Sequence, residues 1–310
     1  MENIKKYSMI APHIRNKKST QTVMLDVVIA LLPALFASVY FFGARALILT
    51  LVTVVACVAS EFLIQKLLHK PVRIKDLSAV VTGMLLAFNL PVEFPIWMAI
   101  VGSIFAIVIV KELFGGIGQN FMNPALAARV FMLVTWPAQM GTFTYDGVAG
   151  ATPLGGRPSS LMDLFIGNIP GTIGEVSKVA ILIGLAYLLF KQVIKLRMPL
   201  AYMITCAVLF YILKYDFVDT LSQLLSGGII FAAVFMVTDY SSSPMSPMGQ
   251  IVYSIGAGIL TVVIRLYGGY PEGVSFAIII MNVFVPLIDK LIRPRVFGVK
   301  GAQKWKNLHH

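Results

Sequence analysis

The stretch Asp146-Gly147-Val148-Ala149-Gly150-Ala151-Thr152-Pro153-Leu154 gathers small and polar residues in a chain that is otherwise mostly apolar. Gly150 and Ala151 precede a hydroxyl that is followed by proline, so the backbone can turn tightly and present the Thr152 side chain with little steric cover. This is where the residue types favour chemistry. Taken alone, the run also reads as an ordinary turn, because Gly, Asp and Pro cluster in loops for conformational reasons.

Three ionisable residues lie inside apolar segments, where a charge is costly and calls first for a functional reading: Asp26, Glu61 and Arg129. Asp26 sits about a turn into its segment and Glu61 a turn or two from a basic loop. Snorkelling or pairing therefore explains each as well as a place on an ion pathway does. Arg129 lies midway along a short segment, and a buried guanidinium wants an anion or a carbonyl, such as a ring oxygen of a cofactor. A helix-to-helix contact is the alternative. The run from Gly115 to Pro124 offers flexible backbone and the amides of Asn120 and Asn123 before a helix start, a place to cradle an anion or cofactor. It lacks the Gly-x-Gly-x-x-Gly spacing, and no phosphate loop occurs, which argues against soluble nucleotide chemistry. No residue pattern points to a catalytic nucleophile or a metal. His13, His69, His309 and His310 fall outside the apolar segments, while Cys57 and Cys206 fall inside them and read as buried structural thiols.

These residues must be positioned by membrane elements. Of the 310 residues 58% are hydrophobic and 13% charged, with a mean hydropathy of +0.84; soluble domains carry about 25% charged residues. The net charge of +11 would suggest nucleic acid in a soluble protein, but here the cations sit in a few loops and both ends, which points to the lipid bilayer and excludes nucleic acid. The N-terminal region reads as a retained span, not a cleaved signal.

Ten apolar segments follow: Val23 to Phe42, Ala46 to Leu68, Leu77 to Leu90, Ile96 to Val110, Pro124 to Trp136, Val176 to Phe190, Leu200 to Leu213, Leu221 to Val237, Ile251 to Tyr267, and Val274 to Ile292. The fifth opens on Asn123-Pro124, an N-cap with proline at the first helical position, and yields only roughly 20 Å of helix. Short or interrupted helices at membrane depth mark cavities and binding sites. The expected organisation is a first repeat over 1–136 with a basic leader, an outer loop over 137–175, and a second repeat over 176–310 with a basic tail.

With the N-terminus inside, 19 Lys and Arg fall on the inner side and 5 on the outer, and cytoplasmic loops hold the excess. Both termini are then cytoplasmic and Thr152 faces outward. Phe114-Gly115-Gly116 is echoed 153 residues later by Tyr267-Gly268-Gly269, and Cys57 by Cys206. Because five is odd, a duplicated five-helix unit inserts upside down the second time. The expected fold is an all-α polytopic membrane protein of about ten transmembrane helices in two inverted repeats.

At Asp146 to Leu154 the motif resembles the flavinylation site shared by the D subunit of Rnf electron transport complexes and the B subunit of sodium-pumping quinone reductases. Asp146, Gly150, Ala151 and Thr152 match that pattern, and Ala149 stands where serine or threonine is usual. Gly118 to Ala125 and Phe235 to Pro244 resemble further signatures of the same family. Length favours the Rnf subunit. The resemblance implies that FMN is joined through its phosphate to the Thr152 hydroxyl by a separate flavin transferase, and some members imply a second, noncovalent riboflavin in the helical core.

The resemblance further implies a ferredoxin:NAD⁺ oxidoreductase of the bacterial cytoplasmic membrane that exports Na⁺ or H⁺. This chain would be its electron-relaying subunit beside other membrane, flavoprotein and iron–sulfur subunits, and would not catalyse the full reaction alone. A channel or secondary transporter without a redox cofactor is the alternative, since inverted halves with broken helices suit a midplane pore as well.

Overall fold

A computed structural model of the chain describes residues 19–145, 148–150, 152–155, 159–214, 216–268 and 273–292. Helix α1 (Thr20–Phe42) begins where Ser19 Oγ accepts from the Thr22 amide and ends at Gly43, whose φ of +73° suits a residue without a Cβ. Its 23 residues rise about 35 Å, more than the hydrocarbon thickness of about 30 Å. Helix α2 (Ala44–Leu67) runs back beside it. Helix α3 (Ser78–Phe88) is short and capped by Asp76, whose Oδ1 accepts from the Ser78 amide at 2.9 Å.

After a break with two prolines, α4 (Ile96–Ile104) passes directly into a π-helical stretch, Phe105–Glu112. The wider winding changes which side chains face inward, and Lys111 and Glu112 at its end are buried. Helix α5 (Pro124–Thr135) starts as the sequence indicates, with Asn123 Oδ1 accepting from the amides of Ala125 and Leu126.

The connecting region is a small cap, and it is not wholly helical. Helix α6 (Pro137–Met140) leads into strands β1 (Phe143–Tyr145) and β2 (Val148–Gly150), antiparallel with Phe143 opposite Gly150. A 3₁₀ turn (Pro153–Gly155) and α7 (Leu161–Ile166) follow. The return segment then enters the helical core, where Ile173 and Gly174 donate backbone hydrogen bonds to the carbonyls of Leu90, just past α3, and Phe88, its last residue. A Cβ at Gly174 would lie 2.3 Å from Phe88, so only glycine allows this approach.

The second half contains α8 (Lys178–Phe190), α9 (Arg197–Lys214), α10 (Phe217–Leu225), α11 (Ile229–Phe235), α12 (Pro247–Tyr267) and α13 (Val274–Leu291). Nine of the ten apolar segments read from the sequence each coincide with one continuous helical element, the fourth being α4 with its π-helical extension. Among the described residues, however, only α1, α2, α12 and α13 are long and apolar enough to cross a membrane unaided. The segment expected as one helix over Leu221 to Val237 is instead α10 and α11, which together make a fifth candidate span bent by 56° around Ser226–Gly228. Glycine at 227, with a φ of +61°, makes that bend.

The outside is apolar: Phe36, Tyr40, Val55, Leu63, Phe190 and Ile204 all project outward. The inside carries charge, since Glu61, Lys111, Arg129 and Lys178 are each less than 5% exposed. A girdle of apolar side chains around buried charge suits lipid as the surrounding solvent, and the protein is a polytopic helical membrane protein.

Contacts recur in the two halves. Gly102 packs on Met132 and Gly256 packs on Met281. Lys111 Nζ pairs with Glu61 and donates to Ser78 at the start of α3, whereas Arg265 lies over the Phe210 ring and donates to the Ser226 carbonyl before α11. Phe88 and Phe231, on the two short helices α3 and α11, meet with ring centroids 6.1 Å apart.

Candidate functional site

Thr152 emerges from β2 half-buried, immediately before the 3₁₀ turn. It lines a cavity of about 270 Å³ with Leu154, Pro170, Glu175, Lys178 and Gly227. Gly150 lies at the end of β2, while Asp146 and Ala151 fall outside the described residues.

The floor of this cavity is ionic. Glu175 Oε1 pairs with Arg129 Nη1 at 3.2 Å, and Arg129 Nη1 also donates to Asn89 Oδ1 at 2.7 Å and Ser275 Oγ at 3.1 Å. The Glu175 carboxylate lies against Gly228, where a Cβ would come within 2.4 Å of Oε1. Lys178 is fully buried, its ammonium donating to the carbonyl of Glu175 and, at 3.3 Å, to that of Gly227. Arg129 thus joins α5 to the return segment, and it lines neither this cavity nor the larger one beside Asn120.

Asn120 and Asn123 come together at that second cavity, of about 750 Å³, whose lining also includes Thr82, Leu85, Phe235 and Asp239. Asn123 Nδ2 donates to Asp239 Oδ2 at 3.2 Å, and Asn120 Nδ2 to Ser241 Oγ at 3.4 Å. Asp239 lies in the segment between α11 and α12, where burial pushes its carboxyl up and donors from Ser241, Ser242 and Asn123 oppose that shift. The mixture of apolar walls and a few convergent amides suits a planar heterocycle.

The two candidate ion-pathway acids lie apart from one another. Asp26 accepts from the Tyr187 hydroxyl at 2.9 Å across the contact of α1 with α8. Glu61 is buried against Lys111 at 2.5 Å, with Oε2 unpartnered among the described residues, and it borders a polar cavity of about 630 Å³ with Gln65, Asp76 and Glu112.

The sequence alone does not single out Glu175, Lys178 or Asp239. Glu175 and Lys178 flank the start of a helix and read as loop-end charges, and Asp239 sits in a polar turn. Only Asp239 carries a signal, through the Phe235 to Pro244 signature that contains it.

A helical membrane protein with buried charge and several cavities bordered by polar groups falls in the class of membrane carriers, pumps and redox subunits. Within it, the chain belongs to the NQR2, RnfD, RnfE family, whose model matches residues 8–298. It is 50% identical to the D subunit of the Na⁺-translocating ferredoxin:NAD⁺ oxidoreductase complex of Acetobacterium woodii, over 95% of this chain and 96% of that one. It is 37% identical to the D subunit of the proton-translocating ferredoxin:NAD⁺ oxidoreductase complex of Clostridium ljungdahlii, over 94% and 95%. It is 36% identical to the D subunit of the ion-translocating oxidoreductase complex of Stutzerimonas stutzeri, over 93% and 95%. The chain is therefore a subunit of an ion-translocating oxidoreductase complex of the Rnf type.

Proposed function

We infer that this subunit carries FMN as a phosphoester on Thr152 and relays electrons in a ferredoxin:NAD⁺ oxidoreductase coupled to export of Na⁺ or H⁺. The observation that carries this reading is the placement of Thr152: it borders a cavity whose lining includes a buried ammonium, within a motif that resembles a flavinylation site. The residues present fit a phosphoryl group, because the small cavity brings the Thr152 hydroxyl together with the buried Lys178 ammonium. Bound there, FMN supplies one-electron transfer, and the protein supplies position and electrostatics.

The chain's own residues do the holding. The return segment, fastened to Phe88 and Leu90, fixes Glu175 and Lys178 beneath Thr152. The second cavity, with Asn120, Asn123 and Asp239, is the site for a noncovalent riboflavin: the Asn–Asp–Ser network supplies a polar edge, and Leu85 and Phe235 supply apolar walls. Arg129 links α5 to the loop through Glu175 and stays a candidate for contact with the flavin. Asp26 and Glu61 remain the acids for an ion pathway.

The recurring contacts of the two halves support ten spans in inverted repeats, and the lysine and arginine distribution supports cytoplasmic termini with Thr152 on the outer face. The relatives' names support assembly into a multi-subunit complex, in keeping with membrane, flavoprotein and iron–sulfur partners, and the motif calls for a flavin transferase during maturation. The Acetobacterium and Clostridium relatives are named for different ions, so both Na⁺ and H⁺ stay open for this chain.

The test is the intact mass and visible spectrum of the full chain produced with its flavin transferase. One covalent FMN per chain, localised to Thr152 by peptide mapping, is expected. An unmodified mass with a colourless protein overturns the reading.

A further inference from the structure

Among the described residues, the charges beneath Thr152 do not balance. There Arg129, Lys178 and Arg265 are buried around one carboxylate, Glu175, and that carboxylate is paired with Arg129. Among the described residues the only ion pairs are Arg45–Glu93, Lys111–Glu61 and Arg129–Glu175, so neither Lys178 nor Arg265 has a carboxylate partner there. Arg265 Nη1 donates to the carbonyls of Gln223 at 2.7 Å and Ser226 at 3.3 Å, but its Nε and Nη2 are buried without partners among those residues. An uncompensated buried charge is expensive, because the medium around it cannot replace the water it has lost.

The first half of the chain shows what such a cation ordinarily has. Lys111 and Arg265 hold corresponding places at the ends of α4 with its π-helical extension and of α12, each touching the entry to a short helix. Lys111 is compensated by Glu61. At the corresponding place on α9, 149 residues later, stands Phe210, an aromatic ring with no charge. The second half has therefore kept the cation and not the carboxylate.

Both unpaired cations converge on Gly227, which lines the Thr152 cavity. Lys178 donates to the Gly227 carbonyl, and a Cβ at Gly227 would lie 3.1 Å from Arg265 Nη2 and 2.8 Å from Leu154 Cδ1. Gly227 thus lies between the unpartnered guanidinium edge and the Leu154 side chain, in the turn that follows Thr152. We propose that Lys178 and Arg265 form an anion site for the phosphodiester of the flavin on Thr152, the diester acting as the counter-ion that the protein omits in this half. The site rests on the reading of Thr152 as flavin-bearing.

The test uses the full chain in its complex, produced with the flavin transferase, and reads covalent flavin by in-gel fluorescence and flavin mobility by fluorescence anisotropy in the native complex. Arg265→Met and Lys178→Met each remove one cation. Phe210→Glu removes no cation and restores an internal counter-ion in the geometry that Glu61 and Lys111 already use, so it stays informative where a methionine variant fails to fold. Each is expected to lower the anisotropy of the attached flavin, with a roughly tenfold fall in the ratio of docked to free flavin, as a loss of about 1.4 kcal/mol produces. Arg265→Lys is expected to recover much of it. Flavin attached in all variants with anisotropy unchanged overturns the anion site and leaves the Thr152 reading standing. Absence of covalent flavin from the unaltered chain, or its persistence in Thr152→Val, overturns both.

Discussion

Arg129 and Glu175 form a buried ion pair of 3.2 Å that fastens α5 to the return segment of the connecting region. With both side chains about 5% exposed or less, neither charge has water to fall back on. Removing one partner leaves the other buried and unpaired, which costs about 3–5 kcal/mol, while removing both costs much less. Arg129→Met and Glu175→Gln are each expected to lower thermal stability in detergent, and the double variant to be more stable than the sum of the two predicts. Additive effects would show that the pair is not coupled.

Thr152→Val is expected to insert and fold but to lose all flavin fluorescence in a denaturing gel, whereas Thr152→Ser, which keeps the hydroxyl, retains some of it. Fluorescence persisting in the valine variant would place the attachment elsewhere.

Asn123 has two separable tasks. Asn123→Ala removes the cap of α5 and is expected to cost about 1 kcal/mol, together with loss of extractable riboflavin. Asn123→Ser keeps a capping oxygen but loses the donor to Asp239, so stability is largely kept while riboflavin is lost. Thermal melts paired with acid extraction of flavin distinguish the two.

Gly228→Ala places a methyl where the Glu175 carboxylate now lies, 2.4 Å from Oε1. The carboxylate must shift away from Arg129, and a loss of about 1–3 kcal/mol is expected from the overpacking. A melt matching that of the unaltered protein would show that Glu175 has room to move.

The ten apolar segments, the Asn123 cap and the cap-like outer loop are all legible in the sequence because each depends on composition over a short window. The bend around Ser226–Gly228 is not, since Gly227-Gly228 sits inside a run apolar enough to read as one helix. The π-helical stretch leaves no compositional trace either. Lys178 and Arg265 read as outer-face cations because they stand near helix ends; their burial follows from partners dozens of residues away, such as Gln223 and Gly227. Arg129 invites a cofactor by its position alone, and Glu175, the group it meets, belongs to a loop that folds back into the core.

That return of the loop has a geometric consequence. The backbone of Ile173 and Gly174 is stitched to Leu90 and Phe88, just before the carboxylate that Arg129 holds and a few residues before the lysine beneath Thr152. The two charges that border the Thr152 cavity therefore stand on the protein's interior, not on a swinging arm. The stitch works as a ruler: the depth at which Glu175 and Lys178 stand is set by main-chain hydrogen bonds, so side chains along the way can change without shifting the charges that border the Thr152 cavity.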